Sequence, residues 1–316
     1  MRIVVLDGYV ENPGDLSWEP LGALGELTVY DRTPPAQVAE RIGEAEIVFT
    51  NKSLIPEQVL DACPALRYIG VLATGYNVVD VEAAGRRGIV VTNIPSYGTE
   101  TVAQFTMALL LEICHQIGHH SREVHAGRWS RNPDFSFWDT PQLELAGKTL
   151  GLIGYGRIGR AVGRLARAFG MEVQAWTRTP RPKEGCRMVS REELFATSDV
   201  ISLHCPLTEE NRGLINRETI RQMKDGVILL NTARGPLIVE QDLREALDAG
   251  KVYAAGMDVA STEPIGLDNP LLGAPNCLIT PHIAWATRAA RQRLMDTAVE
   301  NLRRFLEGQP VNRVDR

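Results

Sequence analysis

The 316-residue sequence has no C-x-x-C pair, no short repeat, no low-complexity stretch and no excess of basic charge. Its five cysteines, Cys63, Cys114, Cys186, Cys205 and Cys277, are scattered and odd in number, which argues against a disulfide framework or a zinc site. They read as reduced, mostly buried thiols. Lysines and arginines number 34 against 39 acidic residues, a net charge of −5, so nothing electrostatic favours nucleic acid or an anionic membrane as partner. The most apolar interior stretch, Phe105 to Ile113, is interrupted by Glu112 and followed closely by His115, too short to span a bilayer. The apolar start, Ile3 to Leu6, ends at Asp7 and is too short for a signal-peptide core. The expectation is a cytoplasmic globular protein with a small-molecule substrate.

What is present is alternation. Ile3 to Leu6, Leu27 to Tyr30, Ile47 to Thr50, Tyr68 to Leu72 and Ile89 to Thr92 read as strands, separated by helical patterns such as Pro35 to Ile42. A long helical pattern runs from about Thr99 to Gly127, with Gly98-Thr99 as its N-cap region. A second series follows, with strands at Leu150 to Ile153, Val173 to Trp176, Val200 to Leu203, Val227 to Leu230, Ala254 to Met257 and Leu278 to Thr280. Alternating strands and helices imply an α/β protein with two doubly wound parallel sheets, each covered on both faces. The last helical stretch, about Thr287 to Leu306, comes after the second series is complete. The chain then crosses near Pro95 and Trp285, giving a first domain of 1–98 with 287–316 and an inserted domain of 99–286.

Gly154-Tyr155-Gly156-Arg157-Ile158-Gly159 follows a predicted strand directly and opens a helix running to Phe169. This is G-x-G-x-x-G in the context that gives it meaning: Gly154 allows the tight turn, Gly156 the approach of a pyrophosphate, and Gly159 close packing of helix on sheet. A dinucleotide is therefore expected, with Arg157 and Ile158 counted in its loop. The acid that usually binds the adenosine ribose belongs at the end of the next strand, where Thr177 stands, followed by Arg178, Thr179 and Arg181. A neutral and cationic group suits a 2′-phosphate, so NADP(H) is favoured over NAD(H). A solvated Arg-Pro loop, with Pro180 and Pro182, is the bland alternative.

Three further predicted strands end in polar residues: Asn231-Thr232-Ala233-Arg234-Gly235, Asp258 through Glu263-Pro264, and Pro281-His282. Reducing a 2-oxo acid needs a cation for the carboxylate and carbonyl, and an acid for the new alkoxide. Arg234 offers a bidentate fork, His282 a proton near neutral pH, and Glu263 a carboxylate to orient the imidazole and favour its charged form. Singly, each of these is an ordinary surface or structural residue. As an ordered set they are specific.

With Gly154 to Gly159, His204-Cys205-Pro206-Leu207-Thr208, Asn231 to Gly235, Ala255 to Val259, Glu263-Pro264 and Thr280 to Ala284 in this order, the sequence resembles the D-isomer-specific 2-hydroxyacid dehydrogenase family over nearly its whole length. The resemblance implies a flavodoxin-like substrate domain with an inserted Rossmann domain, and assigns substrate and acid–base roles to Arg234, Glu263 and His282. It implies cofactor contacts at Thr74, Thr101, Cys205, Pro206, Thr232, Ala233, Arg234, Asp258, His282 and Ala284. Val71 to Asn77 resembles the family's substrate-carboxylate loop, at Ala73, Thr74 and Gly75. Asn93 to Gln104 and Pro133 to Trp138 look most like the glycerate dehydrogenase, or hydroxypyruvate and glyoxylate reductase, branch, with Trp138 reaching a substrate pocket or packing at an interface. A homodimer through the Thr99–Gly127 region is implied too. A nucleotide-sensing corepressor on the same fold, or a phosphite dehydrogenase, is the competing reading.

His115, His119, His120 and His125 fall in the one long helical pattern, with His115 and His119 a turn apart. No acid completes a ligand set at i+4 or i+7, so no metal is expected. His204 reads as a satisfied structural histidine.

Overall fold

The computed structural model describes residues 1–179 and 185–315. The chain forms two compact units, one of Met1–Gly98 with Ala286–Arg316 and one of Thr99–Trp285.

In the first unit, β1 (Arg2–Val5), β2 (Glu26–Val29), β3 (Ile47–Thr50), β4 (Tyr68–Val71) and β5 (Val90–Thr92) make one parallel sheet in the order β2-β1-β3-β4-β5. That order is the flavodoxin-like one. β3 and β4 are buried at every position, as strands covered on both faces must be, whereas β2 is only partly covered, as its place at the sheet edge allows. One face packs Val4, Val48, Ile69 and Val91 against Val38, Ile42, Leu60 and Ala83. The chain's return supplies the helix Arg288–Leu306, capped by the Thr287 hydroxyl, which accepts from Ala290 N. This helix sets Phe305 against Tyr68 of β4, with ring centroids 4.9 Å apart.

In the second unit, β6 (Thr149–Ile153), β7 (Glu172–Trp176), β8 (Arg187–Met188), β9 (Val200–Leu203), β10 (Val227–Asn231), β11 (Val252–Met257) and β12 (Cys277–Ile279) form a parallel sheet ordered β12-β11-β10-β9-β6-β7-β8. Six strands were expected; the seventh, β8, is a two-residue edge strand with no apolar run to announce it. The helices Thr99–His115 and Arg157–Ala168 pack Ala103, Met107, Leu110, Ala161 and Val162 on one face. The other is covered by Leu194, Ile220 and Leu243. Strand order reverses between β6 and β9, and the carboxyl ends flanking such a reversal are where an open α/β sheet binds its ligand.

The Thr99–Gly127 pattern is two helices, Thr99–His115 and Ile117–His125, not one. Gln116 between them is left-handed, with φ of 46°. Glu112 Oε1 accepts from Gly118 N at 3.2 Å and so serves the opening of the second helix, while the freed Cys114 carbonyl accepts from Leu143 N at 3.2 Å. His115 and His119 therefore do not share a helix face. His119 Nε2 lies 2.6 Å from Asp139 Oδ2, and His115 Nδ1 lies 3.3 Å from Gln142 Oε1.

Candidate active site

The glycine loop joins β6 to the helix Arg157–Ala168 at the strand-order reversal. Gly154 has φ of 96°, and a side chain there would meet the His204 carbonyl oxygen at 2.6 Å. At Gly159 a Cβ would stand 2.3 Å from the Gly154 oxygen. Neither position admits another residue without moving backbone. Gly156 differs, because a Cβ there meets nothing within 4 Å among the described residues: its outer side is open, as a phosphate seat requires. Gly156 is also the N-cap and, as glycine, brings no side chain of its own to cap the helix, so the first N–H groups and dipole face that opening. These residues fit the pyrophosphate of a dinucleotide.

Gly154 N donates to the carbonyl of Trp176, the last residue of β7, at 2.9 Å. Thr177 and the exposed Arg178 and Thr179 therefore begin beside the loop. Arg181 lies outside the described residues. On the other side His204 follows β9, and Ser202 Oγ lies 2.8 Å from its Nε2, while burial pushes the imidazole down to about 4. It is neutral and structurally satisfied. Burial pushes the Cys205 thiol up, and Asn211 Nδ2 donates to the Pro206 carbonyl at 2.7 Å.

β10, β11 and β12 are adjacent and parallel, so the residues following them share the same carboxyl edge of the sheet. After β10, buried Asn231 holds the turn: its Nδ2 donates to Arg234 O at 2.9 Å and its Oδ1 accepts from Ala233 N at 3.0 Å. Arg234 is exposed beyond it. Gly235 must be glycine, since a Cβ would lie 1.9 Å from the carbonyl carbon and oxygen of Ala260. The Arg234 turn thus packs backbone to backbone against the loop that carries Glu263.

After β12, His282 has φ of 55°, a conformation unusual for any side chain but glycine. It persists because fully buried Asp258 grips both flanks. Its Oδ1 accepts from Thr280 Oγ1 at 2.6 Å and Ile283 N at 2.9 Å, and its Oδ2 from Ala284 N at 2.8 Å. So held, His282 sets Nδ1 2.7 Å from Glu263 Oε2, while Glu263 Oε1 accepts from Ala260 N at 3.2 Å. A carboxylate only accepts, so Nδ1 carries a proton and Nε2 is the atom left to exchange one.

The model for the D-isomer specific 2-hydroxyacid dehydrogenase NAD-binding domain matches residues 107–284. The chain is 60% identical, over 100% of both chains, to a hydroxypyruvate reductase of Blautia hydrogenotrophica. The chain belongs to this family. It is accordingly a nicotinamide-dependent oxidoreductase of 2-hydroxy and 2-oxo acids. A glycerate dehydrogenase of Methylorubrum extorquens is 39% identical over 92% of each chain. Among solved structures, an acyclic imino acid reductase in complex with NADPH and D-Arg aligns over 99% of this chain and 100% of its own, with a TM-score of 0.86 and 29% identity.

Two of the residues expected at the cofactor are joined directly: Thr101 Oγ1 donates to Ala284 O at 3.2 Å. Thr232 Oγ1 lies 3.0 Å from Thr106 Oγ1 on the helix Thr99–His115. Thr106, wholly buried, was not picked out in the sequence, where it reads as one small residue in an apolar run. In the first unit, Ala73, Thr74 and Gly75 follow β4. Thr74 Oγ1 donates to Ile94 O at 2.7 Å, Ile94 N donates to Ala73 O at 3.0 Å, and Asn93 Nδ2 donates to Thr74 O at 2.7 Å. That turn is fixed by the segment after β5. Trp138 is 64% exposed.

Proposed function

We propose that this enzyme reduces hydroxypyruvate or glyoxylate to the D-2-hydroxy acid with NADPH preferred to NADH. The observation that carries the reading is the His282–Glu263 pair on the same sheet edge as Arg234. When bound, the dihydronicotinamide supplies the hydride to C2. Arg234 grips the carboxylate and polarises the carbonyl with its guanidinium fork. As the carbon–oxygen π bond opens, His282 Nε2 gives its proton to the oxygen, and Glu263 steadies the imidazolium before transfer. One hydride and one proton are consumed per alcohol formed. The names of the two relatives support hydroxypyruvate and its product glycerate, and Thr177 with Arg178 supports the 2′-phosphate.

Ala73, Thr74 and Gly75 are assigned to the substrate carboxylate, and Thr101, Thr232, Ala233, Asp258 and Ala284 to the nicotinamide side. Residues 99–286 are assigned as the dinucleotide-binding domain. The protein is read as a homodimer through the Thr99–Gly127 region, working in the cytoplasm, a compartment that five free cysteines favour. No helix among the described residues is long and apolar enough to cross a membrane. Initial rates for a panel of 2-oxo acids with NADH and NADPH in parallel, and chiral analysis of the product, test the reading. Absence of turnover with hydroxypyruvate and either nucleotide, or an L-product, contradicts it.

A further inference from the structure

The loop bearing Glu263 is poorly secured by packing, since Ser261, Thr262 and Glu263 are all exposed. Its hold is polar and comes from a residue to which neither the motifs nor the mechanism gave a role. Glu240 begins the helix Glu240–Asp248, and its carboxylate reaches across to this loop. Oε1 accepts from Ser261 N at 2.7 Å, and Oε2 accepts from Ser261 Oγ at 2.6 Å and from Asn269 Nδ2 at 2.9 Å. Two points of one loop, eight positions apart, are thereby tied to one carboxylate by charge-assisted bonds, which are about twice as strong as neutral ones. Ala260, the residue before Ser261, donates its N–H to Glu263 Oε1 at 3.2 Å, and Glu263 Oε2 in turn holds His282. The Ala260 carbonyl, joined to the Ser261 N–H that Glu240 holds, lies against Gly235.

We infer that Glu240 is a positioning residue for the proton-transfer pair: it fixes Ser261 and, through the Ala260 peptide, the carboxylate that aims His282. It touches neither substrate nor the reacting atoms. The inference rests on the role given to His282, so the test carries one readout independent of turnover.

The experiment compares wild type with Glu240→Ala, Glu240→Gln and Ser261→Ala. Proton NMR follows the hydrogen-bonded Nδ1–H resonance of His282, assigned by its loss in His282→Asn. Wild type shows that resonance. Glu240→Ala loses it to exchange with water, while Glu240→Gln and Ser261→Ala, each keeping part of the anchor, retain it broadened. In parallel, Glu240→Ala lowers kcat by about ten-fold, because a displaced catalytic group costs rate even when small in distance. Its KM for the oxo acid and its affinity for NADPH, whose seat is the β6 loop, stay near wild type. A structural role alone would reduce stability and leave the resonance and kcat of the folded fraction unchanged. The inference is overturned by absence of the resonance in wild type, by its persistence in Glu240→Ala, or by its loss with kcat intact. Should Glu240→Ala not fold, the two milder variants decide in the same terms. An inactive wild type with the expected resonance series removes the proposed substrate and leaves this inference standing.

Discussion

Glu263 Oε2 and His282 Nδ1 are 2.7 Å apart, and no sequence spacing sets that distance: it follows from two loops at the ends of different strands. The bond fixes the tautomer. Glu263→Gln keeps an acceptor and removes the charge, so reduction of the oxo acid should lose kcat by about 10- to 100-fold. His282→Ala should lose about 10²- to 10⁴-fold in kcat, with the KM for the acid little changed. Full pH–rate profiles of the three proteins check both expectations. A Glu263→Gln profile superimposing on wild type would remove Glu263 from the mechanism.

Asp258 is a different case, because its three donors are what keep His282 left-handed. Asp258→Ala empties a fully buried place and leaves the Ile283 and Ala284 N–H groups without their acceptor, at about 1–3 kcal/mol for the buried Ala284 N–H and less for the more exposed Ile283, while Thr280 Oγ1 falls back on the Met257 carbonyl. Stability should fall by about 3 kcal/mol or more, and Asp258→Asn, which still offers one oxygen, by about half of that. Urea unfolding measures both. Equal midpoints for wild type and Asp258→Ala would show that the turn holds itself.

These two acids mark what was legible in the sequence. Arg234, Glu263 and His282 could be named because each follows a strand in a motif whose chemistry is local, and the same holds for Gly154, Gly156 and Gly159. The two parallel sheets followed from alternation of strands and helices, since periodicity reports which faces are buried, whereas their strand orders were read only from the structure. The break at Gln116 was hidden because the helix ends there without glycine or proline, in a residue whose left-handed backbone is stabilised by Glu112 and Leu143 from either side. Thr106 and Glu240 were invisible for a related reason. Their partners, Thr232 and Ser261, are 126 and 21 positions away, and nothing in either residue's neighbourhood marks it for a bond at that range.

Glu11 makes a pH-dependent prediction in the first unit. Its side chain is wholly buried, hydrogen-bonded through Oε1 to Asn51, while Oε2 has no hydrogen-bond partner among the described residues. Burial first, and the Asp7 carboxylate second, push its pKa up to about 8. The unfolded chain releases this proton near 4.5, so between the two values the folded protein binds more protons than the unfolded one. The contribution is fully present below about 4.5 and is lost as pH rises through about 8. Glu11→Gln cannot ionise, so its melting temperature relative to wild type should climb from pH 5 to about pH 8 and level off above that. Thermal melts across that range check the slope; a constant difference would show that Glu11 ionises alike in both states.

The adenosine end gives the sharpest specificity test. Thr177 directly follows Trp176, whose carbonyl is pinned to Gly154 N at 2.9 Å, so the side chain at 177 begins beside the pyrophosphate seat. A carboxylate there would accept from both ribose hydroxyls of NADH and repel a 2′-phosphate. Thr177→Asp should therefore shift the ratio of kcat/KM for NADH over NADPH by at least about ten-fold toward NADH. Arg178→Ala should lower kcat/KM for NADPH and leave NADH close to wild type, since the cation is useful only to the extra phosphate. The pair of variants separates charge from shape: if Arg178→Ala weakens both nucleotides equally, the guanidinium serves the loop and not the phosphate, and the preference for NADPH loses its basis.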